Sequence, residues 1–358
     1  MTSYESETLR CPLTGTRRDF LRLAGAGVAW AAFPTPPAYT QSVTEKKSVV
    51  SLVKGTDRRQ MVYDSLKPFK KEIADAIGKK QVVIKANAGT IIRENAKYST
   101  HADQLRGILD FLKEIHDGTV LIVEGCASTF SDAFVGFENY GYMALRKEYG
   151  VTLLDSNELP ASRQYIRAAL NFPQPINIIN IFMDPNVYLI SAARMKTHNA
   201  VVGTYSLKNV VMGAPVSHWR QKYNEKFLMH GGRGSSGGRE LSYNLFQVAR
   251  LGVTPDLSIV DAIEAVEGDG PWEGDPIEHG VVLASTDFVA ADRLCTELMG
   301  IDPNWMKYLE WCGAAGMGNW DINNITVNGP NWKDLVIKYK LHTTVERQVA
   351  WIHENFGQ

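Results

Sequence analysis

The sequence predicts an α/β protein: a mostly parallel sheet with helices on both faces, either as one body or as two lobes, 48–182 and 183–330, around a cleft. Three observations carry this expectation. Apolar runs of strand length alternate with segments of helical periodicity from residue 48 onward. Runs such as Gln81–Ala86 and Tyr188–Ala192 have the character of strands buried on both faces. The 358 residues are 44% apolar and 22% charged, an ordinary balance for a chain that buries a real core.

Residues 1–40 stand apart from that fold. Thr16-Arg17-Arg18-Asp19-Phe20-Leu21-Arg22 is a twin-arginine pattern, two adjacent arginines followed by a hydrophobic pair. An Ala- and Gly-rich apolar stretch follows, Leu21–Phe33, and then the proline-rich Pro34–Pro37. At about 13 residues with Arg22 inside it, the stretch is too short to span a bilayer and reads as the apolar part of an export signal. The plainer alternative is a chance arginine pair before a buried helix. The signal reading makes the protein periplasmic or otherwise exported, with the twin-arginine machinery as a partner and this segment as its only link to a membrane. Residues 41–358 are then a single globular body.

In that body, Ser48–Lys54 reads as a strand and Arg58–Ile77 as helical with a break at Pro68. Gln81–Ala86 is a strand, and His101–His116 an amphipathic helix with Leu105, Ile108, Leu109, Leu112 and Ile115 on one face. Thr119–Val123 is a strand, Phe134–Tyr149 a helix, and Val151–Leu154 and Tyr188–Ala192 continue the strand series. Leu257–Val260 and Gly280–Ala284 are strands, with Asp287–Met299 a helix capped by Asp287. Two glycine-rich stretches interrupt the alternation. Gly231–Gly238 reads as a flexible loop or a lid, and Gly268–Gly274 follows a strand, where open α/β sheets bind ligands.

The formal charge is −1 for the chain and −2 for 41–358, where 34 basic groups face 36 acidic ones. Such a balance excludes nucleic acid as a partner. The cysteines Cys11, Cys126, Cys295 and Cys312 contain no C-x-x-C pair, so no iron–sulfur cluster or structural zinc site is expected. Dinucleotide-binding, Walker A, nucleophile-elbow and H-E-x-x-H patterns are all missing.

Three polar groups carry the candidate chemistry. Lys196-Thr197-His198 and Ser206-Leu207-Lys208-Asn209 follow the Tyr188–Ala192 strand, with Lys208 and Asn209 in the first turn of a helix opened by Ser206. A lysine there opposes the helix dipole unless it meets an anion held by the helix N-terminus. Asp261, Glu264, Glu267 and Asp269 follow another strand, where carboxylates hold a divalent metal or supply a base. Lys85-Ala86-Asn87 and Glu124-Gly125 end two strands that a parallel sheet makes neighbours, and His101 opens a helix. Each group has a bland alternative: surface lysines, solvated acids, and a capping role for His101.

Ile84-Lys85-Ala86-Asn87, Thr100-His101, Met195-Lys196-Thr197-His198, Ser206-Leu207-Lys208-Asn209, Glu267-Gly268-Asp269-Gly270-Pro271 and Ala284-Ser285-Thr286-Asp287 together resemble the family labelled domain of unknown function 362, from about residue 48 to 330. Many such members resemble this chain in their twin-arginine signal, whereas others carry the cysteine clusters this chain lacks. The family is also remotely similar to the nickel-pincer lactate racemases. That likeness implies Lys196 and His198 as residues holding a nickel-bearing nucleotide.

The expectation is an exported enzyme, an isomerase or lyase rather than a hydrolase, that acts on a small carboxylate- or phosphate-bearing metabolite by acid–base chemistry. His198, Lys196 and Glu267 are the expected catalytic residues. Lys208, Asn209, Lys85, Asn87 and His101 bind substrate, and Asp261 with Glu267 holds a metal if one assists. The alternative is a periplasmic protein that binds a metal or an anion without turnover. If the signal reading holds, replacing Arg17 and Arg18 by Lys abolishes export of the full chain in a cell-fractionation assay. Unchanged export removes the reading.

Overall fold

A strand left alone exposes a row of backbone donors and acceptors, so the apolar runs of this chain pair into sheets before they can be buried. The computed structural model describes residues 47–353, apart from 128–131, 169–171, 219–222 and 233–237. The twin-arginine pattern and most of the Gly231–Gly238 stretch lie outside the described residues.

The chain opens with β1 (Ser48–Lys54), followed by α1 (Arg58–Leu66) and α2 (Lys70–Ile77), which are separated by the 3₁₀ turn Lys67–Phe69 that accommodates Pro68. Next come β2 (Gln81–Lys85), α3 (Ala102–Leu112), β3 (Leu121–Glu124), α4 (Ala133–Asn139), α5 (Met143–Tyr149) and β4 (Thr152–Asp155). A hairpin of β5 (Ala161–Arg167) and β6 (Pro173–Ile179) forms a separate two-stranded sheet, and Ile178 of β6 also bridges to Pro215. β7 (Val187–His198), β8 (Val202–Thr204) and α6 (Ser206–Gly213) follow. The two-residue strands β9 (Ser217–His218) and β10 (Tyr223–Asn224) lead to α7 (Glu225–Leu228) and α8 (Gly238–Arg250). The remaining elements are β11 (Leu257–Glu267), β12 (Asp275–Ser285), α9 (Phe288–Leu298), α10 (Lys307–Ala314), β13 (Ile325–Asn328) and α11 (Val345–Val349).

The main sheet has nine described strands, in the order β13-β1-β12-β11-β7-β2-β3-β4 with β8 paired to the end of β7. β11, β7, β2, β3 and β4 run parallel, while β12 is antiparallel to both its neighbours. The fold is therefore α/β on a mostly parallel mixed sheet. Strands from 48–182 and from 183–330 share that one sheet. Alternate residues feed two cores: Val82 and Ile84 pack with α1 to α5 on one face, and Val83 and Leu189 with α6, α8, α9 and α10 on the other.

From β2 the chain lays down β3 and β4 on one side, then returns to place β7 on the other side of β2. That reversal is a topological switch point, where successive connections leave the strand ends toward opposite faces and open a crevice.

Three expectations change. Phe134–Tyr149 is two helices, because Gly141 takes φ +79° between them. β7 does not stop at Ala192 but runs to His198, since Lys196, Thr197 and His198 find backbone partners in Thr204, Gly203 and Val202 of β8. The link between β7 and β8 includes a strained γ-turn, with Val202 at φ +62° and the Gly203 N–H donating to the Val201 carbonyl. The N-terminus of α6 is not open to an outside anion: Asp292 of α9 fills it, its Oδ1 and Oδ2 each accepting a backbone N–H, from Ser206 and Leu207, at 2.9 Å. Burial pushes that carboxyl up to about 7. Ser206 lies inside the helix, where its hydroxyl donates to Ser258 Oγ at 2.6 Å.

Candidate functional site

At the switch point the C-terminal ends of β2, β3 and β7 meet α6, α7 and the Gly268–Gly274 loop around a cavity of about 260 Å³. Its polar wall is basic. Lys85, Lys196, Lys208 and Lys226 line it together with His198 and His230, against one acidic side chain among the described lining residues, Glu124. All four lysines are buried, none more than 6% exposed. Removing an ammonium from water is costly, so each needs compensation.

Three of them have it. Lys85 Nζ donates to Glu124 Oε2 at 2.8 Å and to the Ala86 carbonyl at 2.5 Å, and Glu124 is fixed in turn by the backbone N–H groups of Ala88 and Gly125. The Lys85 stem passes where a side chain at position 213 would stand, since a Cβ on Gly213 would lie 2.0 Å from Lys85 Cε. Lys226 Nζ donates to the Met212 carbonyl at the end of α6, at 3.2 Å, where the helix dipole favours a cation. Lys196 Nζ donates to Asn87 Oδ1 at 2.8 Å and to the Tyr98 carbonyl at 2.9 Å, and lies 4.8 Å from the centroid of the Trp272 ring.

Lys208 is different. Among the described residues its Nζ has no hydrogen-bond or ion-pair partner, although the residue is 6% exposed and lines the cavity. Burial alone pushes it down to about 7. Burial also brings Lys226 down to about 8. Lys196 falls well below its ordinary value through burial and then the positive charges of Lys208 and Arg194.

The imidazoles are held neutral. Burial, then Lys208 and His230, drive His198 well below its ordinary value, and burial and Lys208 bring His230 down to about 4. Their rings lie nearly parallel, 19° apart with centroids at 6.3 Å. His198 Nδ1 accepts the Ala200 N–H at 3.0 Å, so the ring proton sits on Nε2 and the residue is a hydrogen-bond donor. The histidine expected to be catalytic is thus held as a neutral donor.

Asn209 ties the basic wall together. Its amide nitrogen donates to the Lys85 carbonyl and Ser191 Oγ, and its Oδ1 accepts from Asn87 Nδ2 at 3.0 Å. Lys85, Asn87, Lys196, His198, Lys208 and Asn209, drawn from two of the sequence groups, therefore share one cavity.

The other expected residues do not line it. Asp261 is fully buried in β11, where its Oδ2 accepts Arg58 Nε at 2.8 Å and its Oδ1 the Ile263 N–H. Glu267 Oε2 accepts the Lys340 N–H at 2.8 Å. The two carboxylates hold the chain together and do not face Lys196. His101 caps α3, its Nδ1 accepting the Asp103 N–H, and burial followed by the Arg58 charge lowers its pKa. A metal held by side chains alone does not fit, because no three His, Cys, Asp or Glu among the described residues converge on one point.

Sequence reasoning missed Lys226 and His230, and it marked the Gly268–Gly274 stretch without singling out Trp272 as a site residue. His230 adjoins the glycine-rich stretch, which is the signal that marks it. Lys226 has no local signal, because only the fold turns it inward.

Residues 82–297, more than half of the chain, match the model of the family described as domain of unknown function (DUF362). A thylakoid-associated protein of Synechocystis sp. is 26% identical over 223 residues, which cover 62% of this chain and 64% of that protein, under two thirds of its length. Among solved structures, the lactate racemase apoprotein of Thermoanaerobacterium thermosaccharolyticum aligns with a TM-score of 0.40 at 12% identity, covering 72% of this chain and 58% of that one. A Thermotoga maritima protein aligns with a TM-score of 0.39 at 12% identity, over 74% and 60%.

The Lys85–Glu124 pair generates a stability prediction. Glu124→Gln leaves a buried ammonium without its counter-charge and costs about 3–5 kcal/mol in denaturant unfolding. The double variant Lys85→Met/Glu124→Gln recovers most of that loss. A single-variant cost below about 0.5 kcal/mol would mean that the pair is not ionic.

Proposed function

The chain belongs to the DUF362 family, and we propose that it is an exported enzyme acting on a small carboxylate- or phosphate-bearing metabolite by acid–base chemistry, isomerisation or elimination. The observation that carries this reading is Lys208, a buried amine that lines the cavity with no partner among the described residues. An anion entering the cavity supplies the missing partner, and Lys85 and Lys226 supply the surrounding positive field. The ligand's charge raises the Lys208 pKa, so binding takes up a proton.

His198 then presents Nε2–H to the oxygen on which charge develops, a neutral donor that costs no deprotonation. Lys196 is the proton-transfer group. Asn87 and Tyr98 fix its position, while burial and neighbouring cations favour its neutral amine over the ammonium, the form a base requires. Asn87 and Asn209 orient the site. Export rests on the Thr16–Arg22 pattern, and no described helix is long and apolar enough to cross a membrane.

The test uses sulfate, whose charge stays constant across the range of interest, measured by calorimetry. The free Lys208 amine loses its proton above about 7 and Lys226 above about 8. Sulfate affinity is therefore greatest below pH 7 and falls as pH rises from 6 to 9, with net proton uptake on binding through that interval. Lys208→Met weakens binding roughly tenfold to a hundredfold. Affinity that is flat with pH, or unchanged in Lys208→Met, contradicts the reading.

A further inference from the structure

The basic wall explains why an anion enters the cavity but not the character of the cavity's rim. Lys226 and Phe227 are neighbours in α7, yet the lysine is 6% exposed and the phenylalanine 55% exposed. This inverts the usual preference, in which the apolar side chain is the buried one. Both residues line the same cavity, so the inversion turns the charge inward and leaves an aromatic face at the rim.

Trp272 repeats the pattern from another part of the chain. It lines the cavity from the Gly268–Gly274 loop and remains 36% exposed. Its ring is nonetheless fixed: it meets Tyr98 edge-on with centroids 6.4 Å apart, and a Cβ on Gly89 would come within 2.9 Å of its outer edge. Met212 and Pro271 add apolar surface to the same lining. Exposed aromatic faces beside a buried polar site are a common mark of ligand recognition, because the apolar area stays wet until a ligand covers it.

We infer that the cavity takes an anion bearing a flat, unsaturated ring, with the anionic group among the lysines and the ring against Trp272 and Phe227 at the rim. This rests on the anion-binding reading above and names its substrate class. An unbranched aliphatic anion meets the lysines equally well but leaves the two aromatic faces wet. The ring adds offset or edge contacts to both and displaces that water.

Calorimetry on the full chain at pH 6.5 compares inorganic phosphate with phenyl phosphate, and acetate with benzoate. The ring-bearing member of each pair binds more tightly by roughly tenfold or more. In Phe227→Ala and in Trp272→Ala the ratio within each pair falls toward one, and Trp272→Phe restores part of it. Thermal unfolding of each variant checks that the fold persists, and the ratio is internal to each variant, so a general loss of affinity does not imitate the effect. Phosphate and acetate binding without a ring preference, or a preference that survives both alanine variants, overturns this inference alone. Binding of none of the four anions overturns it together with the anion reading.

Discussion

Four lysines buried around the C-terminal ends of β2 and β7, with Glu124 as the one carboxylate among the described cavity residues, are the constraint on which the surrounding structure depends. Ammonium groups do not enter a protein interior without partners, and most of the local architecture supplies them. Glu124 sits at the end of β3 because β2 and β3 pair in parallel there, setting it beside Lys85. The last carbonyls of α6 receive Lys226. The Asn87 side chain and the Tyr98 carbonyl receive Lys196. Asp292 anchors the first turn of α6 from α9, and so holds Lys208 and Asn209 over the strand ends. What the fold leaves uncompensated is Lys208, and that omission gives the cavity its chemical character.

The same constraint settles the histidines. Burial, and then the positive charge of Lys208, make a further proton on His198 and His230 unfavourable, so the neutral rings are favoured. The Ala200 N–H then selects the His198 tautomer. Under the proposed function, proton transfer in such a site falls to a lysine, Lys196. That division of labour differs from the one expected when histidine is read from its ordinary pKa alone.

Much of this was legible in the sequence, for identifiable reasons. Pro68 marked the break between α1 and α2, Asp287 marked a helix start, and the continuously apolar strands marked a parallel sheet buried on both faces. Lys85, Asn87, Lys196, His198, Lys208 and Asn209, all singled out in the sequence, line one cavity because parallel strands deliver their ends to one edge. The acidic half of the expected site went elsewhere for a physical reason. The apolar run of β11 ends at Val260, but the strand continues to Glu267 against β12, and Asp261 inside it pairs with Arg58 from α1. Polarity was taken for the end of a strand when it marked a long-range ion pair. Lys226, Phe227 and Trp272 were not legible, because their burial or exposure runs against their hydropathy and is set only by how α7 and the Gly268–Gly274 loop close on the sheet.

The central claim is that Lys208 is a buried amine awaiting an anion, and nuclear magnetic resonance of side-chain-labelled lysines tests it most directly. In the free protein the Lys208 Nζ signal, assigned by its loss in Lys208→Met, titrates near 7. Saturating sulfate moves that midpoint upward by more than about one unit, the mark of a new negative partner. A Lys208 that titrates near the ordinary ~10.4 of a solvated lysine, or one whose midpoint sulfate leaves in place, contradicts the account.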